Sequence, residues 1–190
     1  MAALRGDATY SHLRTTQIAG KELWFQKKCD DCHTLSNQAD GKLTPVPQKR
    51  SDEWFKEHIQ AESALVLAQS TSARKQRRIL NAEIIALDDY LYKTPQLQKT
   101  EIDEMATNIF QGAYATYKNN CLRCHLVDGA GKDGGQDLTR VADKHGDRKW
   151  LMQNLLNPEQ FSPETTMPRF DHLSKTELNQ IVDYLMTLRK

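Results

Sequence analysis

All four cysteines of the 190-residue chain fall in two copies of one pattern, Cys29-Asp-Asp-Cys32-His33 and Cys121-Leu-Arg-Cys124-His125. A Cys-x-x-Cys pair can ligate zinc, run thiol–disulfide exchange or tether a haem. Zinc wants four ligands in one place, commonly two such pairs about 15–20 residues apart. Here the pairs begin at positions 29 and 121, and neither has a partner pair close by. A redox dithiol has no use for a histidine at the next position. Covalent haem attachment employs every residue: the two thiols add to the vinyl groups of the porphyrin, and the adjacent imidazole comes under the iron as proximal ligand. Two copies with no cysteine left over point to two covalently bound haem c groups. Cys29, Cys32, Cys121 and Cys124 would hold them, with His33 and His125 as the iron ligands.

The elements that must position these residues recur along the chain. Upstream of the motifs, "AGKELWFQKKC" lies over "FQGAYATYKNNC", setting Gly20 against Gly112 and Phe25 against Tyr117. Downstream, "SDEWFKEHI" lies over "GDRKWLMQNLL", pairing Trp54 with Trp150. At the ends, Glu83, Asp89, Tyr90 and Leu91 fall over Glu177, Asp183, Tyr184 and Leu185. Each half therefore reads as helix, Cys-x-x-Cys-His motif, loop, Trp-led helix, distal loop and final helix. The stretch "KTPQLQKT" at 93–100 separates the halves with a proline, which sets the expected domains at 1–95 and 96–190. Thr100-Glu-Ile-Asp103 and Ser174-Lys-Thr-Glu177 both read as capping boxes that open a helix. No alternating strand pattern stands out, so the expected class is all-α in two similar parts.

These features resemble class I cytochrome c, over nearly the whole chain, as two tandem domains each wrapped around a haem. The resemblance implies that the first and last helices of each domain cross at a glycine packed on an aromatic, Gly20 with Tyr90 and Gly112 with Tyr184. Only a residue without Cβ lets two helix backbones approach so closely. It also makes Met167, in "SPETTMPRF", the sixth ligand of the second haem. Met167 stands in a polar, proline-flanked loop where core filler is less expected, whereas Met152 and Met186 fall in helices and read as packing. The family's Gly-Pro-x-Leu appears here as Gly135-Gln-Asp-Leu138, without the proline whose carbonyl orients the proximal histidine, so another backbone carbonyl must serve His125. For His33 that role falls to Pro45. By the same resemblance Trp54 and Trp150 bind haem propionates through their indole N–H groups; as plain residues they would cap helix packing.

The first half departs from the family. No methionine lies between His33 and Lys99, and the position matching Met167 falls near Ala73 in "STSARKQRR". The sixth position of the first haem then has four accounts. His58, one helical turn after Trp54, is the leading ligand; His12 and Lys75 are alternatives, and an open site is the fourth. His145 and His172 read as surface or propionate-side residues. The basic run Arg74–Arg78 is either a solvated helix start or a docking patch for an acidic redox partner.

With 26 basic and 25 acidic residues the formal charge is +1, which leaves no electrostatic footprint for nucleic acid. A hydrophobic content of 38% gives two halves only small side-chain cores, a deficit that a large apolar macrocycle in each would make up. No run is long and apolar enough to cross a membrane. "MAALRGDATY" has no signal-peptide core, yet attachment of haem to this motif normally takes place outside the cytoplasm. A periplasmic or other extracytoplasmic setting, with a signal or anchor removed, is therefore expected. The resemblance extends to dihaem subunits that accompany cytochrome bc complexes and terminal oxidases, implying an electron carrier with redox-protein partners. The alternative is a haem enzyme, peroxidase-like or sulfur-compound-oxidising, with the first haem as its reaction centre. It is disfavoured by the absence of a spare cysteine for thiolate ligation and by a chain short for a peroxidase.

Overall fold

The structure, a computed structural model, describes residues 9–36, 38–62 and 72–190. Contacts gather the chain into two units, residues 16–99 and residues 100–190, the second taking in the N-terminal segment up to Thr15.

In the first unit, α1 (Thr15–Gln26) is buried on every side over residues 15–20, as a helix enclosed by the core must be. Asp52–Glu62 forms α2 and Ala73–Asp88 forms α3. On α3 the buried Leu80, Ile84 and Leu87 recur at helical spacing and make one apolar stripe. The helix widens at its end into a π-turn, Asp89–Lys93, which the Thr94 hydroxyl closes by donating to the Asp89 carbonyl at 2.7 Å. The inferred crossing of α1 and α3 is there: a Cβ on Gly20 would stand 2.1 Å from the Ala86 carbonyl oxygen and 2.6 Å from Tyr90 Cβ. Two buried charges tie the same helices together, Lys27 Nζ and a Glu83 carboxylate oxygen 2.7 Å apart.

The short helix α4 (Gln96–Asp103) follows. It corrects the expectation of a helix start at Thr100, which lies inside α4. The helix opens just after Pro95, whose carbonyl accepts from Lys99 N at 3.0 Å, because proline presets the backbone for a first turn.

The second unit repeats the order with α5 (Thr107–Lys118), α6 (Val141–Lys144), α7 (Arg148–Leu156) and α8 (Lys175–Thr187). On α8 Leu178, Ile181, Val182 and Leu185 are buried at i, i+3, i+4 and i+7. The Ser174 capping position holds: its hydroxyl accepts from Glu177 N at 3.2 Å. At the crossing of α5 and α8 a Cβ on Gly112 would meet the Gln180 carbonyl at 1.9 Å and Tyr184 Cβ at 2.8 Å. Where the first unit has Lys27 and Glu83, this one has Asn119 Nδ2 donating to Glu177 at 2.9 Å. Residues 9–15 belong to this unit through specific bonds. Tyr10 N donates to the Thr187 carbonyl at 3.2 Å, Ser11 Oγ to the Arg189 carbonyl at 2.7 Å, and Thr15 Oγ1 lies 2.9 Å from the Tyr184 hydroxyl. Leu13 is fully buried.

The only strands among the described residues are four of two residues each: β1 (His33–Thr34) parallel to β2 (Thr44–Pro45), and β3 (Leu126–Val127) antiparallel to β4 (Ala130–Gly131). All of them lie in the loops that follow the two motifs. No helix among the described residues is long and apolar enough to cross a membrane.

Candidate haem sites

Both motifs are built alike. The residue before each first cysteine takes the left-handed conformation, Lys28 at φ 55° and Asn120 at φ 61°, and so ends the preceding helix. A single 3-10 turn follows, Cys29–Asp31 in one unit and Cys121–Arg123 in the other. In each the second cysteine, Cys32 or Cys124, is exposed and the first is half-buried. Burial, with the Cys124 thiol adding to it, pushes the Cys121 thiol up to about 12. That is the opposite of a redox-active Cys-x-x-Cys, whose attacking thiol is depressed towards neutrality. Among the described residues no group of three or more His, Cys, Asp or Glu side chains converges as a zinc cage would require.

In the second unit the His125 ring is fixed from behind. Its Nδ1 lies 2.7 Å from the Gln136 carbonyl oxygen. A carbonyl only accepts, so Nδ1 carries the proton and Nε2 keeps its lone pair for a metal. This is the backbone carbonyl that the missing proline made necessary. Gly135 lets the loop reach the ring, since a Cβ there would stand 2.9 Å from His125 Cε1. The ring opens onto a cavity lined by Cys121, His125, Leu151, Met167 and Leu185 among others. Met167 is half-buried at its wall; its sulfur lies 3.9 Å from Asn154 Nδ2, and its N–H donates to Thr165 Oγ1 at 3.1 Å. Trp150 lines the same cavity, with the His145 ring stacked on it at 3.7 Å between centroids. Of the two places expected for His145, surface or propionate side, the stacking on Trp150 is compatible with the second.

In the first unit a smaller cavity is lined by Cys29, His33, Trp54, Phe55, His58 and Tyr92 among others. His58 stands on the cavity side of α2, stacked on Trp54 at 5.4 Å, and its ring centroid is 6.1 Å from that of His33. Two imidazoles that bind one metal from opposite sides, each through a nitrogen at about 2 Å, hold their centroids about 6 Å apart. The spacing thus leaves room for one iron. His12 is elsewhere engaged, its Nε2 2.8 Å from Glu101, in the unit of residues 100–190. Lys75 lies in the first turn of α3, and its side chain falls outside the described residues. Ala73, the counterpart of Met167, is the first residue of that helix. The His33 ring is not held by Pro45 as expected. Its Nδ1 lies 3.0 Å from Thr44 Oγ1.

Both cavities present apolar walls, an imidazole and the partly exposed first cysteine of a thiol pair. The residues present fit a covalently bound haem. Residues 95–185 match the family model described as cytochrome c oxidase, cbb3-type, subunit III. No curated protein and no solved structure matches the chain. The matched region contains Cys121, Cys124, His125 and Met167 together with the cavity they line. The match supports a c-type cytochrome domain over residues 95–185, and with it electron transfer on covalently bound haem c.

Proposed function

We propose that the chain is a dihaem cytochrome of two tandem class I domains, relaying single electrons between a donor redox complex and an acceptor. The observation that carries this reading is the repeated site. In each unit a Cys-x-x-Cys-His turn ends at an apolar cavity, and a second side chain able to bind iron lines the same wall, His58 in one and Met167 in the other. Cys121, Cys124, His125 and Met167 would hold one haem; Cys29, Cys32, His33 and His58 would hold the other. Haem supplies a one-electron iron couple whose potential follows its axial ligands, higher with a methionine sulfur than with two imidazoles.

The chain's own groups prepare each site for that role. The Gln136 carbonyl keeps the proton of His125 on Nδ1. Leu151 and Leu185 exclude water from the larger cavity, and Trp54 and Trp150 place an indole N–H at each wall, where a propionate would accept it. The cbb3-type match supports a partner in a respiratory complex, which in this reading is a terminal oxidase or a cytochrome bc complex. Attachment of haem to this motif normally takes place outside the cytoplasm, which supports a periplasmic or other extracytoplasmic setting. A haem enzyme would need an exchangeable position opposite His33, and the spacing of His58 favours a closed one.

The test is a mass measurement followed by a ligand spectrum. We expect the mass of the purified protein to exceed that of the polypeptide by two haems, and the ferrous spectrum to be unchanged by carbon monoxide. A single haem would reject the dihaem reading. Stoichiometric carbon monoxide binding in the wild type would favour the enzyme, and His58→Ala should create such binding where the wild type has none.

A further inference from the structure

We infer that the Thr44 side chain, and not a backbone carbonyl, positions the proximal histidine of the first unit and sets the donor strength of its iron-binding nitrogen. This rests on the proposal that the first unit carries a haem on Cys29, Cys32 and His33.

The two units solve the same problem with different atoms. In the second, the carbonyl oxygens of Cys124 and Leu126 accept from Gly134 N and Leu138 N at 3.0 and 2.9 Å. Those two donors are four residues apart, and the carbonyl of Gln136, midway, turns to His125 Nδ1. In the first, the equivalent carbonyls of Cys32 and Thr34 accept from Thr44 N and Val46 N at 3.0 and 3.2 Å. Here the donors are only two residues apart, and the strand pairing of His33–Thr34 with Thr44–Pro45 is regular. The residue midway is Pro45, held in that pairing, and its carbonyl is not the group that His33 Nδ1 meets. Thr44 Oγ1 takes the place instead, 3.0 Å from His33 Nδ1.

The protons follow from the ligand role. With Nε2 on the iron, as the proposed haem requires, Nδ1 carries the proton of the neutral ring. Thr44 Oγ1, 3.0 Å away, then accepts it, and the single hydroxyl proton is left for the Cys32 carbonyl at 3.3 Å. A hydroxyl oxygen is a weaker acceptor than a peptide carbonyl, and Thr44 is exposed, so it draws less on the Nδ1 proton. The donor strength of a ligating imidazole rises with the strength of that acceptor. His33 is thus the weaker donor of the two proximal ligands. Its tuning atom also sits on a side chain, where a single substitution can remove it; that of His125 is backbone.

The experiment is a redox titration of Thr44→Val and Thr44→Ser, both checked for two haems per chain. Removing the acceptor makes His33 a poorer donor to ferric iron. Thr44→Val should therefore raise the midpoint that Met167→Ala leaves unmoved, while the other midpoint stays in place. Thr44→Ser keeps the hydroxyl and should return the wild-type value, which a purely structural role for the side chain does not predict. An unmoved midpoint in a Thr44→Val protein with both haems overturns the inference. If that variant loads haem poorly, proton NMR of the ferrous wild type decides: the His33 Nδ1–H should show cross-peaks to the Thr44 side chain, and cross-peaks to other residues only would overturn it. A wild type with one haem, seen by mass beforehand, removes the dihaem reading and this inference with it.

Discussion

At the scale of single residues, Met167 is the one whose role can be separated most cleanly. It lines the cavity in front of His125 and has no counterpart in the first unit. Met167→Ala should abolish the weak methionine–iron absorption of the ferric protein. It should also lower one midpoint potential by on the order of 100 mV, a fraction of the roughly 0.8 V range that axial ligands cover. A spectroelectrochemical titration checks both, and persistence of the band would move the ligand to another methionine. Which residues line the two cavities was legible, because identity and order mark them: the first cysteine and the imidazole of each motif, His58, and the methionine of the Met-Pro loop. The partner of His33 was not. Pro45 and Thr44 are neighbours in sequence, and what decides between them is how many residues the loop leaves between two strand hydrogen bonds. A side-chain hydroxyl that competes with a backbone carbonyl leaves no mark in the residue pattern. For His145 the residue pattern left surface and propionate side open, because its stacking on Trp150 depends on how the loop before α7 folds back.

Among the elements, the helix crossings are the most exposed to test. A Cβ on Gly20 or Gly112 would meet backbone atoms of the opposing helix, which cannot swing away as a side chain can. Gly20→Ala and Gly112→Ala should each destabilise their own unit by about 3 kcal/mol or more, at the upper end of overpacking effects. The control is Gly129→Ala, at φ +74° with nothing within 4 Å of the new Cβ, which should lose only the about 1–2 kcal/mol of a left-handed backbone. Chemical unfolding followed by circular dichroism would separate the three. These crossings were legible because a glycine and an aromatic recur at matching places in both halves. The start of α4 was missed, since a Thr-x-x-Asp pattern inside a helix looks the same as one at its start. The end of α3 carries a pH dependence of its own. Burial pushes the Asp88 carboxyl up, but hydrogen bonds from Lys49 and Lys93 outweigh it and hold the group below its ordinary value of 3.8. A depressed carboxyl contributes stability that is complete above the unfolded value and is lost as pH falls through the folded one. Thermal unfolding of the first unit should therefore fall off below pH 3.8, and Asp88→Asn should be less stable near neutrality with a flatter acid limb. An unchanged acid limb in the variant would assign the loss to other carboxylates.

For the whole molecule, the division into units does not follow chain order. Leu13 is fully buried and its neighbours bond to the end of α8, so the beginning of the described chain stabilises the c-type domain at the other end. Leu13→Ala should destabilise the unit of residues 100–190 by about 2–5 kcal/mol. Unfolding monitored through the Met167-linked absorption should shift, while the transition of residues 16–99 stays in place; a shift confined to residues 16–99 would contradict the packing described. The two-part repeat was legible from motif spacing, but this long-range attachment was not, because the partners of Ser11 and Thr15 lie some 170 positions away. The attachment also has a kinetic side. A chain made from its N-terminus completes residues 16–99 first, and domains generally fold as units in that order. The second unit must wait for α8 before it can recruit a segment synthesised ahead of residues 16–99. While the intervening residues are unfolded, bringing the two segments together closes a long flexible loop, at an entropic cost that grows with its length. Once they have folded, that loop is already shortened. Early folding of residues 16–99 would thus hasten completion of the other unit, and a lesion such as Gly20→Ala should slow the maturation of residues 100–190 as well.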